Sequence, residues 1–244
     1  MQGSPAKAID YFFAGAKLVM QPGYRRFILI PLLANCVIFI VVSVTLFNAF
    51  SDVFVQVEEW SPDWLDWLAW LLWPIVWLLF LVIYGYSFNI ITNFIAAPFF
   101  GLLAEKIETG LTGVSPPEET WSELIPRTLQ REATKLWYFI TRGLLVVIIF
   151  CVLFFVPGAN VLGTIILGAW SCWCMAIQYA DYPADNHRLS FRELRRRLNS
   201  QPLTSYSYGG IILLGSMVPV LNIFVTPIAV AGATIYWVRE VKNL

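Results

Sequence analysis

The sequence predicts an all-α integral membrane protein with two long transmembrane helices, two helical hairpins and amphipathic cytoplasmic helices. Three observations lead there. Of the 244 residues, 58% are hydrophobic and only 13% are charged, whereas a soluble domain is about one-quarter charged. The long apolar runs are spread from residue 27 to residue 238, which leaves no stretch for a separate soluble domain and predicts a single membrane domain over 1–244. The charges are also asymmetric. The stretch 51–66 holds Asp52, Glu58, Glu59, Asp63 and Asp66 and no Lys or Arg, whereas every other polar stretch carries basic residues. By the positive-inside rule 51–66 faces outward and the other polar stretches face the cytoplasm.

The elements follow in order. Residues 5–21 predict a short amphipathic helix lying in the membrane interface, with Ile9, Phe12, Phe13, Ala16, Val19 and Met20 at helical spacing opposite Lys7, Asp10 and Lys17. Pro22-Gly23 ends it. The run 27–50 has 24 residues, about 36 Å of helix at 1.5 Å per residue, against a hydrocarbon core of about 30 Å. A tryptophan-rich segment follows, with Trp60, Trp64, Trp67, Trp70, Trp73 and Trp77, and its earlier members read as an interfacial belt. A second span, 67–104, is punctuated by Pro74, Gly85 and Pro98 and ends at Glu105, Lys106 and Glu108. The cytoplasmic segment 105–142 ends in a polar amphipathic helix whose apolar stripe is Ile125, Leu129, Ala133, Leu136 and Ile140.

The last hundred residues hold a weak repeat. Val156-Pro157-Gly158-Ala159-Asn160 and Val218-Pro219-Val220-Leu221-Asn222 each break an apolar stretch, and basic residues flank both hairpins, 143–180 and 203–238. The apolar arms Gly143–Val156 and Gly209–Val218 hold 14 and 10 residues, about 21 and 15 Å of helix, short of a crossing. They predict re-entrant hairpins. Ordinary full hairpins are the alternative, with Leu136–Ile140 and Thr204–Tyr208 added to the arms. The cytoplasmic segment 181–202 contains a helix opened by Ser190 and Glu193 as a capping box.

Several functions are excluded or disfavoured. No phosphate-binding loop, zinc motif or nucleophile elbow is present, so no enzyme, cofactor or metal site is expected. His187 is the only histidine and reads as a turn-stabilising residue. The net charge of zero gives no reason to expect a nucleic-acid partner. Cys36, Cys151, Cys172 and Cys174 lie in apolar runs and read as small hydrophobes.

The most informative step is Gly23-Tyr24-Arg25-Arg26 immediately before the first long apolar run. Free amides at a helix start favour an anion, and two guanidiniums add charge and forked donors suited to a tetrahedral oxyanion. A cationic collar on a membrane span is the competing reading of the same residues. Glu105 reads either as interfacial charge or as an ion-pair partner of Arg25 or Arg26 that an arriving anion displaces. Asn89 and Asn93 are polar residues at membrane depth, where such side chains face protein or water.

Gly23-Tyr24-Arg25-Arg26-Phe27, the stretch Asn93–Glu108, the turn Asp181-Tyr-Pro-Ala-Asp-Asn-His187 and the stretch Val218–Thr234 together resemble the bacterial CysZ-type sulfate permeases over nearly the whole chain. The resemblance implies sulfate uptake across the bacterial inner membrane for cysteine biosynthesis, by a multi-pass, homo-oligomeric protein with hemi-penetrating helices. It implies sulfate binding by the Gly-x-Arg element, here Gly23, Tyr24 and Arg25 with Arg26 adjacent, and a pathway role for Glu105. Arginines at a helix start do not by themselves separate sulfate from sulfite or other oxyanions. A membrane scaffold with wedge-like hairpins and no transport is the alternative function.

Overall fold

The computed structural model describes residues 3–60, 66–117, 119–242 and 244; the side chains of residues 28, 31, 32, 35, 50, 52–60, 66–72, 83, 86–90, 92, 93 and 219–223 lie outside that description. The described residues are helical, without strands: α1 (Pro5–Val19), α2 (Arg26–Trp60), α3 (Asp66–Thr112), α4 (Trp121–Phe154), α5 (Asn160–Asn186), α6 (Phe191–Ser200), α7 (Pro202–Ser216) and α8 (Pro219–Tyr236), which runs into a π-helical turn, Trp237–Val241. They form two compact units, Met1–Leu29 with Ala97–Leu244 and Ile30–Ala96.

Sequence punctuation sets the helix ends. Pro5, Pro202 and Pro219 stand in the first turns of their helices, where a missing N–H costs nothing and the fixed φ fits. The Ser190 hydroxyl accepts from Glu193 N at 3.2 Å and caps α6. Only half of the expected capping box forms, because the Glu193 carboxylate turns forward to Arg196 and Arg197. At the tip between α4 and α5, Gly158 adopts φ +81°, a left-handed conformation that glycine takes without a steric cost. The tip between α7 and α8 is only Met217 and Val218.

In the larger unit α1, α5, α7 and α8 pack together, α4 lies on α5, and α6 bridges α5 and α7. Its core includes Ile177, Tyr208, Ile212, Tyr236 and Trp237, all buried. The Tyr208 hydroxyl donates to Ala229 O at 2.7 Å, and Ser205 and Tyr236 share a bond of 3.0 Å, so the buried hydroxyls are satisfied. In the smaller unit Ser43 Oγ and Tyr84 OH are 2.7 Å apart, and Tyr84 lies against Phe39 and Phe80.

The structure changes the reading of several elements. The run expected at 27–50 continues as helix to Trp60, and the span expected at 67–104 is part of a helix of 47 residues. The two parts of α4 are one unbroken helix of 34 residues, about 51 Å long. Both Leu136–Ile140 and Thr204–Tyr208 are helical, so α4 and α7 extend beyond the short apolar arms. Residues Asp181–Asn186, expected in a turn, are the last stretch of α5 and continue through Pro183.

The amphipathicity of α4 is reversed. Its buried residues are Leu124, Thr128, Glu132 and Lys135, whereas Ile125, Leu129 and Ile140 of the expected apolar stripe are exposed. The charged stripe packs on α5 and the apolar one faces outward. That arrangement suits a helix whose outer surroundings are apolar. The α4–α5 tip carries the same signal, with Leu144, Val152, Phe154, Val161, Leu162 and Ile165 exposed and Phe155 83% exposed. A water-soluble monomer rarely shows so large an apolar surface. Among the described residues, α4 and α5 are long and apolar enough to cross a membrane. On α1 the buried face is Ala8, Tyr11, Gly15 and Val19, leaving Ile9, Phe13 and Met20 exposed.

Candidate functional site

A tight turn joins α1 to α2. Tyr24 N donates to Gln21 O and Phe27 N to Tyr24 O, both at 3.0 Å. One of the amides expected to face a ligand, that of Phe27, is therefore spent within the turn. The amides of Arg25 and Arg26 have no backbone acceptor among the described residues. Helix α2 starts at Arg26, so the two arginines straddle its positive end. Both are exposed. Arg25 Nε donates to Met20 O at 3.0 Å, which anchors that guanidinium on the last carbonyls of α1. The Arg26 guanidinium lies 5.0 Å from the centre of the Phe27 ring.

The partner of this turn was not expected from the sequence. Lys106, near the end of α3, donates from Nζ to Gly23 O at 2.8 Å. Its ammonium also lies 5.3 Å from the Tyr24 ring centre and 5.6 Å from that of Phe27, within cation–π range. Tyr24 closes on the following turn of α3: a β-carbon on Gly110 would stand 3.1 Å from its hydroxyl. Tyr24 thus braces the turn against α3. Arg25, Arg26 and Lys106 make no ion pair among the described residues, and so form a cluster of three cations at one corner.

Glu105 is half-buried and lines a cavity of about 210 Å³ together with Leu102, Pro116, Pro117, Glu119, Leu124, Arg127 and Asn186. It is Lys106, its neighbour, that reaches the Gly23 turn. The side chains of Asn89 and Asn93 lie outside the described residues, as do that of Asn222 and those of Trp60, Trp64, Trp67 and the acidic residues of 51–66. Asn160 accepts a local bond from Val161 N at 2.9 Å.

Beyond the cavity runs a buried ion ladder. Arg127 pairs with Glu119 at 2.7 Å and with Asp185. Arg131 pairs with Asp181 at 2.7 Å and also donates to Leu189 O. Lys135, 1% exposed, pairs with Glu132 and lies 3.3 Å from Asp181. Basic residues spaced by four on α4 thus meet acids spaced by four on α5. That spacing was visible in the sequence, but the pairing of the two helix faces was not. A second clasp joins distant parts of the chain. Buried Glu108 accepts from His187 Nε2 and from Lys242 Nζ, both at 2.8 Å, and His187 stacks on Trp237. His187 therefore ties α5 to α3 and to the chain end, rather than serving its own turn alone.

The electrostatics follow from these contacts. Burial pushes the Glu119 carboxyl up, but hydrogen bonds and charge from Arg127 and Arg188 outweigh it, so its pKa lies below the ordinary value. Glu193 on α6 is held at about 2 by its bonds from Arg196 and Arg197.

The sequence of this chain matches the family described as "Sulfate transporter CysZ/Etoposide-induced protein 2.4" over residues 11–227. Proteins named "Sulfate transporter CysZ" from Salmonella paratyphi A, Salmonella enteritidis PT4 and Salmonella gallinarum are each 40% identical to it over 245 aligned positions, covering 96% of this chain and 92% of theirs.

Proposed function

This chain belongs to the sulfate transporter CysZ/etoposide-induced protein 2.4 family, and from that premise we propose that it carries sulfate across the bacterial inner membrane for assimilation into cysteine. It does so as a multi-pass homo-oligomer and without covalent chemistry. The observation that supports this most is the corner at the start of α2. Arg25 and Arg26 are exposed, and among the described residues they carry no carboxylate partner and their own amides have no backbone acceptor.

In this reading a dianion docks on Gly23–Arg26, where its charge is matched by two guanidiniums and its desolvation cost falls. It then passes along polar groups that include Glu105, Asn89 and Asn93. A re-entrant tip at Val218–Asn222 is supported by the lengths of α7 and α8, 15 and 18 residues, about 22 and 27 Å of helix against a core of about 30 Å. Re-entry at Val156–Asn160 rests on the short apolar arm Gly143–Val156, since α4 and α5, of 34 and 27 residues, are long enough to cross. Affinity is modest, because an uptake route must release its ion. Radiolabelled sulfate uptake into proteoliposomes tests the reading. Arg25→Ala with Arg26→Ala lowers the flux at least tenfold; wild-type flux in that double variant removes the site. Absence of flux with the pure wild-type protein favours a scaffold.

A further inference from the structure

Lys106 has a position that calls for an explanation. Its Nζ covers Gly23 O at 2.8 Å and lies over the rings of Tyr24 and Phe27, while Arg26 lies against the same Phe27 ring. An uncovered carbonyl oxygen at this turn would repel an anion. The ammonium masks that oxygen and, having three donors, spends only one of them there. Unlike Arg25, whose Nε is bonded to Met20 O, Lys106 holds its charge on a flexible stem that can re-aim without disturbing a helix end.

We propose that Lys106 is the third cation of the anion site, and that it sets the preference of that site for doubly over singly charged oxyanions. The proposal rests on the reading that oxyanions dock at Arg25 and Arg26. Two guanidiniums alone match a dianion and over-match a monoanion. A third positive charge acts on a dianion with twice the energy it exerts on a monoanion at the same distance. Lys106 therefore adds discrimination as well as affinity.

The test is competition of radiolabelled sulfate uptake by selenate and by nitrate in proteoliposomes. The variants are Lys106→Gln, which keeps a donor for Gly23 O, Lys106→Met, which keeps the stem over the rings, and Lys106→Arg, which keeps the charge. For one screened unit charge roughly 6 Å away, Lys106→Gln and Lys106→Met raise the half-saturating sulfate concentration about tenfold and weaken nitrate competition about threefold. The preference for selenate over nitrate falls about threefold with little change in maximal rate, and Lys106→Arg restores it. Equal losses for both anions, no loss at all, or an arginine variant as poor as the glutamine variant overturns the proposal. If one neutral variant does not fold, the other decides. Failure of the underlying reading shows separately, as wild-type flux in the Arg25→Ala, Arg26→Ala protein.

Discussion

Gly15 on α1 and Gly232 on α8 meet backbone to backbone. A β-carbon on Gly15 would stand 2.5 Å from Gly232 N and 2.7 Å from Ile228 O, and one on Gly232 would stand 2.7 Å from Tyr11 O. Small residues at a crossing let two helices approach closely. Here they seat the N-terminal helix on the C-terminal one, and Lys7 and Tyr11 close the contact by donating to Glu240. The turn that carries Arg25 and Arg26 follows directly from this docked helix, so the position of the corner depends on the crossing.

Gly15→Ala therefore destabilises the protein. The added methyl group meets backbone, which cannot rotate away as a side chain could. Overpacking of this kind costs about 1–3 kcal/mol. The melting temperature of the detergent-solubilised variant falls, and sulfate half-saturation rises because the turn loses its support. An unchanged melting temperature contradicts the close crossing.

Glu119 gives the acid limit of the cavity region. Arg127 and Arg188 hold its folded pKa below the ordinary 4.5, against the upward push of burial. A depressed carboxylate contributes stability that is present above 4.5 and lost as the pH falls through the folded value. Glu119→Gln removes the charge and costs about 2 kcal/mol, as for hydrogen bonds between charged groups. The difference in melting temperature between wild type and variant is constant from neutral pH to near 4.5 and closes below it. A gap that closes well above 4.5 assigns the effect to another group.

Much of this architecture was legible because it depends on local chemistry. Pro22-Gly23 ends α1, the two Val-Pro turns break the hairpins, and Ser190 caps α6. The family was legible too, from strings such as Asp181–His187. What was not legible depends on contacts between distant residues. Periodicity gave α4 an apolar stripe but not the direction it faces, and the structure turns that stripe outward and packs the charged one on α5. Pro183 and the polar residues beside it suggested a turn, since propensity there is poor. The ion pairs of Asp181 with Arg131 and of Asp185 with Arg127 hold that stretch as helix. Lys106 was seen only as a charge ending a span, because Gly23, its acceptor, is 83 residues away.

The depth of the hairpin tips is the remaining prediction, and it separates a re-entrant from a full-crossing arrangement. Phe155 at the first tip and Met217 at the second are exposed apolar residues, 83% and 67% respectively. Water is a poor environment for either. In a background with Cys36, Cys151, Cys172 and Cys174 replaced, Phe155→Cys and Met217→Cys each supply one thiol. In a re-entrant hairpin neither thiol reacts with a membrane-impermeant maleimide added to either side of oriented vesicles. A fluorophore attached to it in detergent, before reconstitution, is quenched most by lipids brominated near the bilayer centre. In a full crossing the tip emerges, the maleimide labels it from the side opposite the basic hairpin ends, and headgroup-level quenchers act best. Labelling at Phe155→Cys with protection at Met217→Cys makes the longer α4–α5 pair a true crossing and leaves only the α7–α8 pair re-entrant, an outcome for which the greater length of α4 and α5 would be the physical cause.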